Sequence, residues 1–389
     1  MEKINIPLSV PNLDKDILTM IADTIESGWV STGGKYITIF ENQVKKFLGV
    51  DYSCGVQSGT AGLHVALITL GLEANEEVLV PTLTFIAAVN PIRYLHAHPV
   101  FMDCDDSLTI DPKKVRSFLE NECSFENGIV RNKATNRRVK GIVVVHVFGN
   151  PADMESIMDI AEEFNLFVLE DACEALGSKY TSGPYAGKYC GTIGHMGVLS
   201  FNANKIITTG GGGMIVSDNK AYIDYASFIS VQAKSDPLRF IHDEIGYNYR
   251  LTNISAAFGV SQMNKIEAFL ETKKNNYLYY KNSFRNGGLS ILDFNEGTEP
   301  NYWFYSLIVD KEVYGMNKED LMLKLQEYGI QTRPIWGLIH QQQPYLNHQA
   351  YRIEKSIFYA NRILNIPCST GLTSKDADYV IEIIKSLGK

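Results

Sequence analysis

The chain has 389 residues, 45% of them hydrophobic and 21% charged, with a formal net charge of −8. That is enough apolar sequence for a large buried core and for two domains, or one large domain with a smaller one appended. No basic block could neutralise a run of phosphates, which excludes nucleic acid as the partner, and no apolar run approaches a membrane span.

The first stretch, Met1-Glu2-Lys3-Ile4-Asn5-Ile6-Pro7, has neither the apolar core nor the cleavage pattern of a secretory signal, so the cytoplasm is the expected location. Gly33-Gly34-Lys35-Tyr36 resembles a phosphate loop only superficially, since the full frame is missing and Tyr follows the lysine. Gln57-Ser58-Gly59-Thr60-Ala61-Gly62 is more informative. It leads into Leu63, Leu67 and Leu70 at helical spacing, and small residues opening a helix suit a phosphate, because backbone N–H groups and the positive end of the helix dipole converge there. Taken alone, the same residues make an ordinary N-cap.

His96-Ala97-His98 with Asp103 and Cys104 reads as surface and core sequence, and no metal is expected. The six cysteines lack C-x-x-C spacing, so they read as reduced packing residues. The polar segment 121–140 reads as a surface excursion between strands. Gly141 to Gly149 is strand-like, and a helix with Met154, Ile157, Met158 and Ala161 on one face follows, N-capped by Asp153. Strand and helix alternating in this rhythm imply an α/β fold with a mostly parallel central sheet flanked by helices.

Leu166-Phe167-Val168-Leu169-Glu170-Asp171 is a buried strand ending in carboxylates, at the edge where open α/β sheets bind ligands. In Ser200-Phe201-Asn202-Ala203-Asn204-Lys205, followed by Ile206-Ile207-Thr208-Thr209 and four glycines, one lysine sits between a hydroxyl-bearing strand end and a backbone free to pass close by. Such a lysine suits imine formation, and Asp171 suits a pyridinium nitrogen. Lys205, Asp171 and the Ser58, Gly59, Thr60 cradle are together the parts of a pyridoxal 5'-phosphate site. No Ser-His-Asp elbow is present. Beyond Gln262 the texture changes: Trp303 to Val309 is strand-like, a helix runs from Asn317 to Tyr328 and stops at Gly329, and a last helix aligns Val380, Ile383, Ile384 and Leu387. This reads as a smaller α+β domain.

From Gly28-Trp29-Val30-Ser31-Thr32-Gly33-Gly34, through Pro81-Thr82-Leu83-Thr84-Phe85 and Glu170-Asp171-Ala172-Cys173-Glu174-Ala175, to Tyr247-Asn248-Tyr249-Arg250-Leu251-Thr252-Asn253, the chain resembles the DegT/StrS-type nucleotide-sugar aminotransferases, a group of fold-type I pyridoxal phosphate enzymes. The resemblance runs nearly end to end. It implies a large cofactor-binding domain over 1–262 and a small carboxy-terminal domain over 263–389. Lys205 is then both covalent anchor and general acid/base, and Asp171 the partner of the ring nitrogen. Phe85 stacks on the ring, Glu174 meets its oxygen, and Ser200 binds the phosphate. Asn248 reaches the phosphate of a neighbouring subunit, which implies a homodimer with shared sites, while Arg250 and His146 become supporting or substrate contacts. L-Glutamate is the implied amino donor and a nucleotide-linked keto-sugar the acceptor, with Thr32, Arg333 and His340 as its contacts.

The Lys205 region together with Arg333-Pro334-Ile335-Trp336-Gly337-Leu338-Ile339-His340 is most similar to C4 aminotransferases of the bacillosamine and legionaminic acid pathways, implying UDP-4-keto-6-deoxy-N-acetylglucosamine. GDP-perosamine synthases, acting on GDP-4-keto-6-deoxymannose, are the alternative. A pyridoxal phosphate sugar dehydratase is disfavoured, because such relatives carry His in place of Lys205, and a non-catalytic regulator is disfavoured by the intact Lys205 and Asp171.

Overall fold

The computed structural model describes residues 4–389, so the first three residues of the amino-terminal stretch read above lie outside the described residues. Seven strands form the body of a ten-stranded sheet: β1 Tyr52–Val56, β2 Glu77–Pro81, β3 His98–Met102, β4 Arg138–Val145, β5 Phe167–Asp171, β6 Met196–Ser200 and β7 Gly213–Ser217. Their spatial order is β1-β7-β6-β5-β4-β2-β3. The pairs from β6 to β3 are parallel, whereas β7 is antiparallel to both its neighbours. β1 to β6 therefore all point the same way. Both faces are covered, which is why β2 and β5 are buried along their whole length instead of alternating.

This topology places the site. The segments that leave β1 (Ser58), β2 (Phe85), β5 (Glu174) and β6 (Lys205) emerge at one carboxyl edge, and β7 enters there with Gly213. The Gly59–Thr69 helix begins at that edge, and Ser58 caps it by accepting the Ala61 N–H at 3.1 Å. Asp153 likewise caps Met154–Glu163, and Asn317 caps Lys318–Glu327 before Gly329, where φ is +76°.

A four-stranded antiparallel sheet follows, in the order Leu289–Ile291, Tyr305–Val309, Ile363–Ile366, Arg333–Pro334, packed with helices Ile266–Ser283 and Ser374–Leu387. Two expectations need correction. Segment 121–140 includes an ordered hairpin, Cys123–Glu126 with Ile129–Asn132, that pairs onto β4; buried Asn132 anchors it by donating to Glu77 at 2.8 Å. The strand expected from Trp303 begins only at Tyr305, because Trp303 is held out of the ladder by contacts at the site.

The division at 262/263 is our proposal. It clips one residue from a helix that ends at Met263, and several links cross it. Ala350–Tyr351 extends the central sheet in parallel beside β3, and the Cys368 N–H donates to the Leu8 carbonyl at 2.7 Å. Asp103, just past β3, accepts from Lys114 Nζ (2.7 Å), from the Ser356 hydroxyl (2.5 Å) and from the backbone N–H groups of Glu354, Lys355 and Ser356. Burial opposes its ionisation, but these donors outweigh it and bring its pKa to about 2. Its contribution is therefore present above about pH 4 and is lost as pH falls through the lowered value. Asp103→Ala is expected to cost about 3 kcal/mol, read as a lower denaturant midpoint at pH 7.

Candidate active site

A cavity of about 740 Å³ opens at the carboxyl edge, between the central sheet and the carboxy-terminal layer. Lys205, Asp171, Glu174, Ser200, Ser58, Gly59, Thr60, Phe85 and Arg333 of the sequence-expected residues line it. Gly59 has to be glycine, since a Cβ there would sit 2.6 Å from Cys173 Sγ and 3.1 Å from Ser200 Cβ. Gly213 is similar: its Cβ would lie 2.7 Å from the Ser58 carbonyl. Gly59 lets the start of the helix press against the end of β6, and Gly213 lets it press against the start of β7. Gly59 and Thr60, whose N–H groups have no partner within the helix, line the same opening as Ser200.

Asp171 is 6% exposed and accepts the Cys173 N–H at 3.1 Å. Burial raises its carboxyl above the ordinary range, partly opposed by Cys173 and the nearby charge of Lys205. Glu174 is similarly buried. Its Oε2 accepts the Phe148 N–H at 2.9 Å and its Oε1 lies 3.6 Å from Lys205 Nζ. Burial lifts it to about 7, against the lowering effect of Lys205. Phe85 is 53% exposed, so packing in the core is not what fixes it; its ring lies 6.3 Å from that of Trp336 across the cavity.

Other expected residues lie elsewhere. Asn248 is exposed, away from the cavity lining, on the chain after the Lys234–Asp236 and Ile241–His242 hairpin. Thr32 is exposed on a loop that Asn253 pins through the Trp29 carbonyl and the Tyr36 N–H. His340 is bound to the Thr82 hydroxyl at 2.6 Å, behind the wall rather than on it. Arg250 pairs with Glu41 at 2.8 Å and braces β1. His146 is wholly buried: its Nδ1 accepts the Ala152 N–H, so Nε2 carries the proton towards Glu170 at 2.9 Å. Although burial pushes Glu170 upward, His146 and the Gly191 and Gly194 N–H groups hold its carboxyl below the ordinary range. The pair supports β5 from behind.

Three neighbours of the expected residues escaped the sequence reading. Trp303 places its ring 3.9 Å from Lys205 Nζ. Asn301 donates to the Glu174 and Leu176 carbonyls and accepts the Trp303 N–H. Phe148 has φ of +56°, a conformation rare for a bulky side chain, and this turn aims its N–H at Glu174. A lone Asn or Phe in a strand-rich sequence carries no signal for such roles; only the unusual density of aromatics at Tyr302-Trp303-Phe304-Tyr305 hints at one. Among the described residues, no group of three or more His, Cys, Asp or Glu side chains is placed to hold a metal ion, and all six cysteines are free.

The donor set fits pyridoxal phosphate. One amine, two buried carboxylates and a glycine-tightened helix amino terminus share a single cavity, each suited to a different part of that molecule. Set at the carboxyl edge of a mostly parallel sheet, they define a fold-type I pyridoxal phosphate enzyme. The DegT/DnrJ/EryC1/StrS aminotransferase family matches residues 11–385. The chain is 34% identical over 380 residues to the GDP-perosamine synthase of Escherichia coli O157:H7, covering 97% of each chain, and 33% identical over 387 residues to that of Vibrio cholerae, covering 98% of each. The solved sugar aminotransferase CalS13 from Micromonospora echinospora superposes with a TM-score of 0.84 at 26% identity, over 98% of this chain and 99% of that one. The chain belongs to the DegT/DnrJ/EryC1/StrS family and is a pyridoxal-phosphate-dependent sugar aminotransferase.

Proposed function

We propose that the enzyme transfers the amino group of L-glutamate to C4 of GDP-4-keto-6-deoxymannose. The similarity over nearly full length to two GDP-perosamine synthases supports the guanosine-linked substrate over the UDP-4-keto-6-deoxy-N-acetylglucosamine suggested by the Lys205 and Arg333 segments. The observation that carries the chemistry is the Lys205 amine, 13% exposed, set against Glu174 in the cavity that Asp171 also lines.

Bound pyridoxal phosphate supplies an aldehyde that takes up the amino group and a ring that spreads the electron pair released on carbon. The rest is done by the chain. Ser58, Gly59, Thr60 and Ser200 would hold the phosphate, Phe85 would cover one ring face, and Asp171 would hold a proton at the ring nitrogen. Lys205 Nζ would anchor the aldehyde and move the proton on carbon in both half-reactions. Glu174 in its protonated form would donate to the ring oxygen. Arg333, at the cavity mouth, suits the diphosphate of the substrate; Thr32 and His340 are assigned only to its surroundings.

A homodimer is part of this proposal. Leu238, Phe240, Ile241 and Ile245 are exposed apolar side chains on the hairpin segment just before Asn248, and a second copy would cover them while Asn248 reaches that copy's phosphate. A cytoplasmic location is also proposed; no helix among the described residues is long and apolar enough to cross a membrane.

The test is product analysis with ¹⁵N-labelled glutamate and each keto-sugar. The GDP-linked substrate is expected to exceed the UDP-linked one by about 10²-fold in kcat/KM; the reverse preference overturns the substrate, and no labelled amino sugar from either overturns the reaction. A second expectation concerns pH. As pH rises through about 7, Glu174 loses the proton it donates, so turnover should fall on that limb. Glu174→Gln, a permanent N–H donor, should flatten it, and a limb that persists unchanged assigns it to another group.

A further inference from the structure

Lys273 is 3% exposed on the Ile266–Ser283 helix, and no carboxylate pairs with it among the described residues. Instead its Nζ donates to the Trp303 carbonyl at 2.6 Å and the Cys368 carbonyl at 2.5 Å, beneath the Tyr305 ring at 5.1 Å. Burial lowers its pKa, opposed by Cys368. An ordering role is worth that desolvation only if the groups it holds need holding.

Of the two residues it holds, Trp303 is the one that lines the active-site cavity. That residue is fixed at every polar atom: Asn301 accepts its backbone N–H at 3.0 Å, Lys273 donates to its carbonyl, and its indole N–H donates to the Asn204 carbonyl at 2.7 Å. Phe304 stacks on it at 4.0 Å and 13°. Its free π-face points at Lys205 Nζ, 3.9 Å away. An aromatic face at that distance attracts an ammonium and restricts where the amine can turn. The other charged or titratable groups around the amine are Glu174 at 3.6 Å, Asp171 and Cys173.

We propose that Lys273 is a positioning residue that acts through Trp303: by clamping the Trp303 carbonyl it seats the indole over Lys205 and so fixes where that amine can turn to meet an incoming aldehyde. The inference rests on Lys205 being the cofactor anchor.

The test uses full-length protein stripped of cofactor, to which pyridoxal phosphate is added at fixed pH; the adduct is trapped with borohydride at successive times and located by peptide mass spectrometry. Losing the aromatic face frees the amine to turn away, so Trp303→Leu is expected to slow adduct formation about tenfold. Lys273→Met should slow it by a similar factor, and the double variant no further. Lys273→Gln keeps an N–H for the Trp303 carbonyl without the charge and should hold the parental rate, which also serves if Lys273→Met does not fold. In a Trp29→Phe, Trp336→Phe background, Lys273→Met should in addition shift the emission of Trp303 to the red.

A rate that falls as far in Lys273→Gln as in Lys273→Met, or that is unchanged in Trp303→Leu or in Lys273→Met, overturns the inference. An adduct found away from Lys205, or not at all, overturns the anchor assignment instead, and the Trp303 emission still tests the clamp.

Discussion

Lys205→Ala is expected to reduce turnover by at least about 10⁴-fold, because one substitution removes both the covalent anchor and the proton carrier. The adduct trapped by borohydride should vanish from the peptide containing Asn204 and Ile206. The fold should survive the change. Lys205 makes no contact that joins elements in the way Asp103 does; its neighbours are the Glu174 carboxylate and the Trp303 face. Lys205→Arg should be nearly as inactive, since a guanidinium keeps its charge and does not form the imine. The measurements are single-turnover amino transfer and intact mass after reduction. Parental turnover in either variant would remove Lys205 from the chemistry.

Asp171→Asn is expected to separate activity from stability. Turnover should fall by about 10²- to 10⁴-fold, because an amide at the ring nitrogen supplies no negative charge to keep that nitrogen protonated. The cofactor should still bind through its phosphate and through Lys205. In the cofactor-free protein the carboxyl of Asp171 is raised by burial, so ionising it costs stability. That group stabilises the fold below its unfolded pKa and loses the contribution as pH rises through the folded value. A neutral amide escapes the cost, so the cofactor-free variant should melt no lower than the parent at pH 7. The paired observation of a maintained melting temperature and lost turnover is what a catalytic role predicts. A variant that turns over like the parent would withdraw Asp171 from the ring nitrogen, and one that melts much lower would make it a structural carboxylate.

Much of the candidate cavity's lining was legible in the sequence because its parts are local. Asp171 ends an apolar run, Ser58 opens a helical one, and Lys205 stands before glycines; each can be read within about a dozen residues. The sheet then brings these segments to one edge for a reason equally visible in the strand and helix rhythm. What could not be read depends on long-range contact. Nothing near Trp303 in the chain points to Lys205, about a hundred residues earlier, and an apolar aromatic run before a strand looks like more strand. His340 is the converse case: its neighbours resemble a substrate-binding segment, but its ring is hydrogen-bonded to Thr82. The hairpin within 121–140 looked like a loop because its strands are short and polar, and only its pairing to β4 and the burial of Asn132 make it a sheet edge. Thr32 and Asn248 lie on exposed segments, and the roles proposed for them depend on what approaches from outside the chain.

Ala350 and Tyr351 are only two residues, but they hydrogen-bond in register with Phe101 and Met102 at the far border of the central sheet. A segment from the late part of the chain is thereby woven into the framework built by the early part, and Asp103 rivets the turn that follows it. Such interlacing opposes the wide jaw-like swing by which two loosely joined lobes would swallow a ligand. Sugar entry has to come instead from small local yielding at the rim, around Arg333 and Trp336, with the floor of the cleft held rigid.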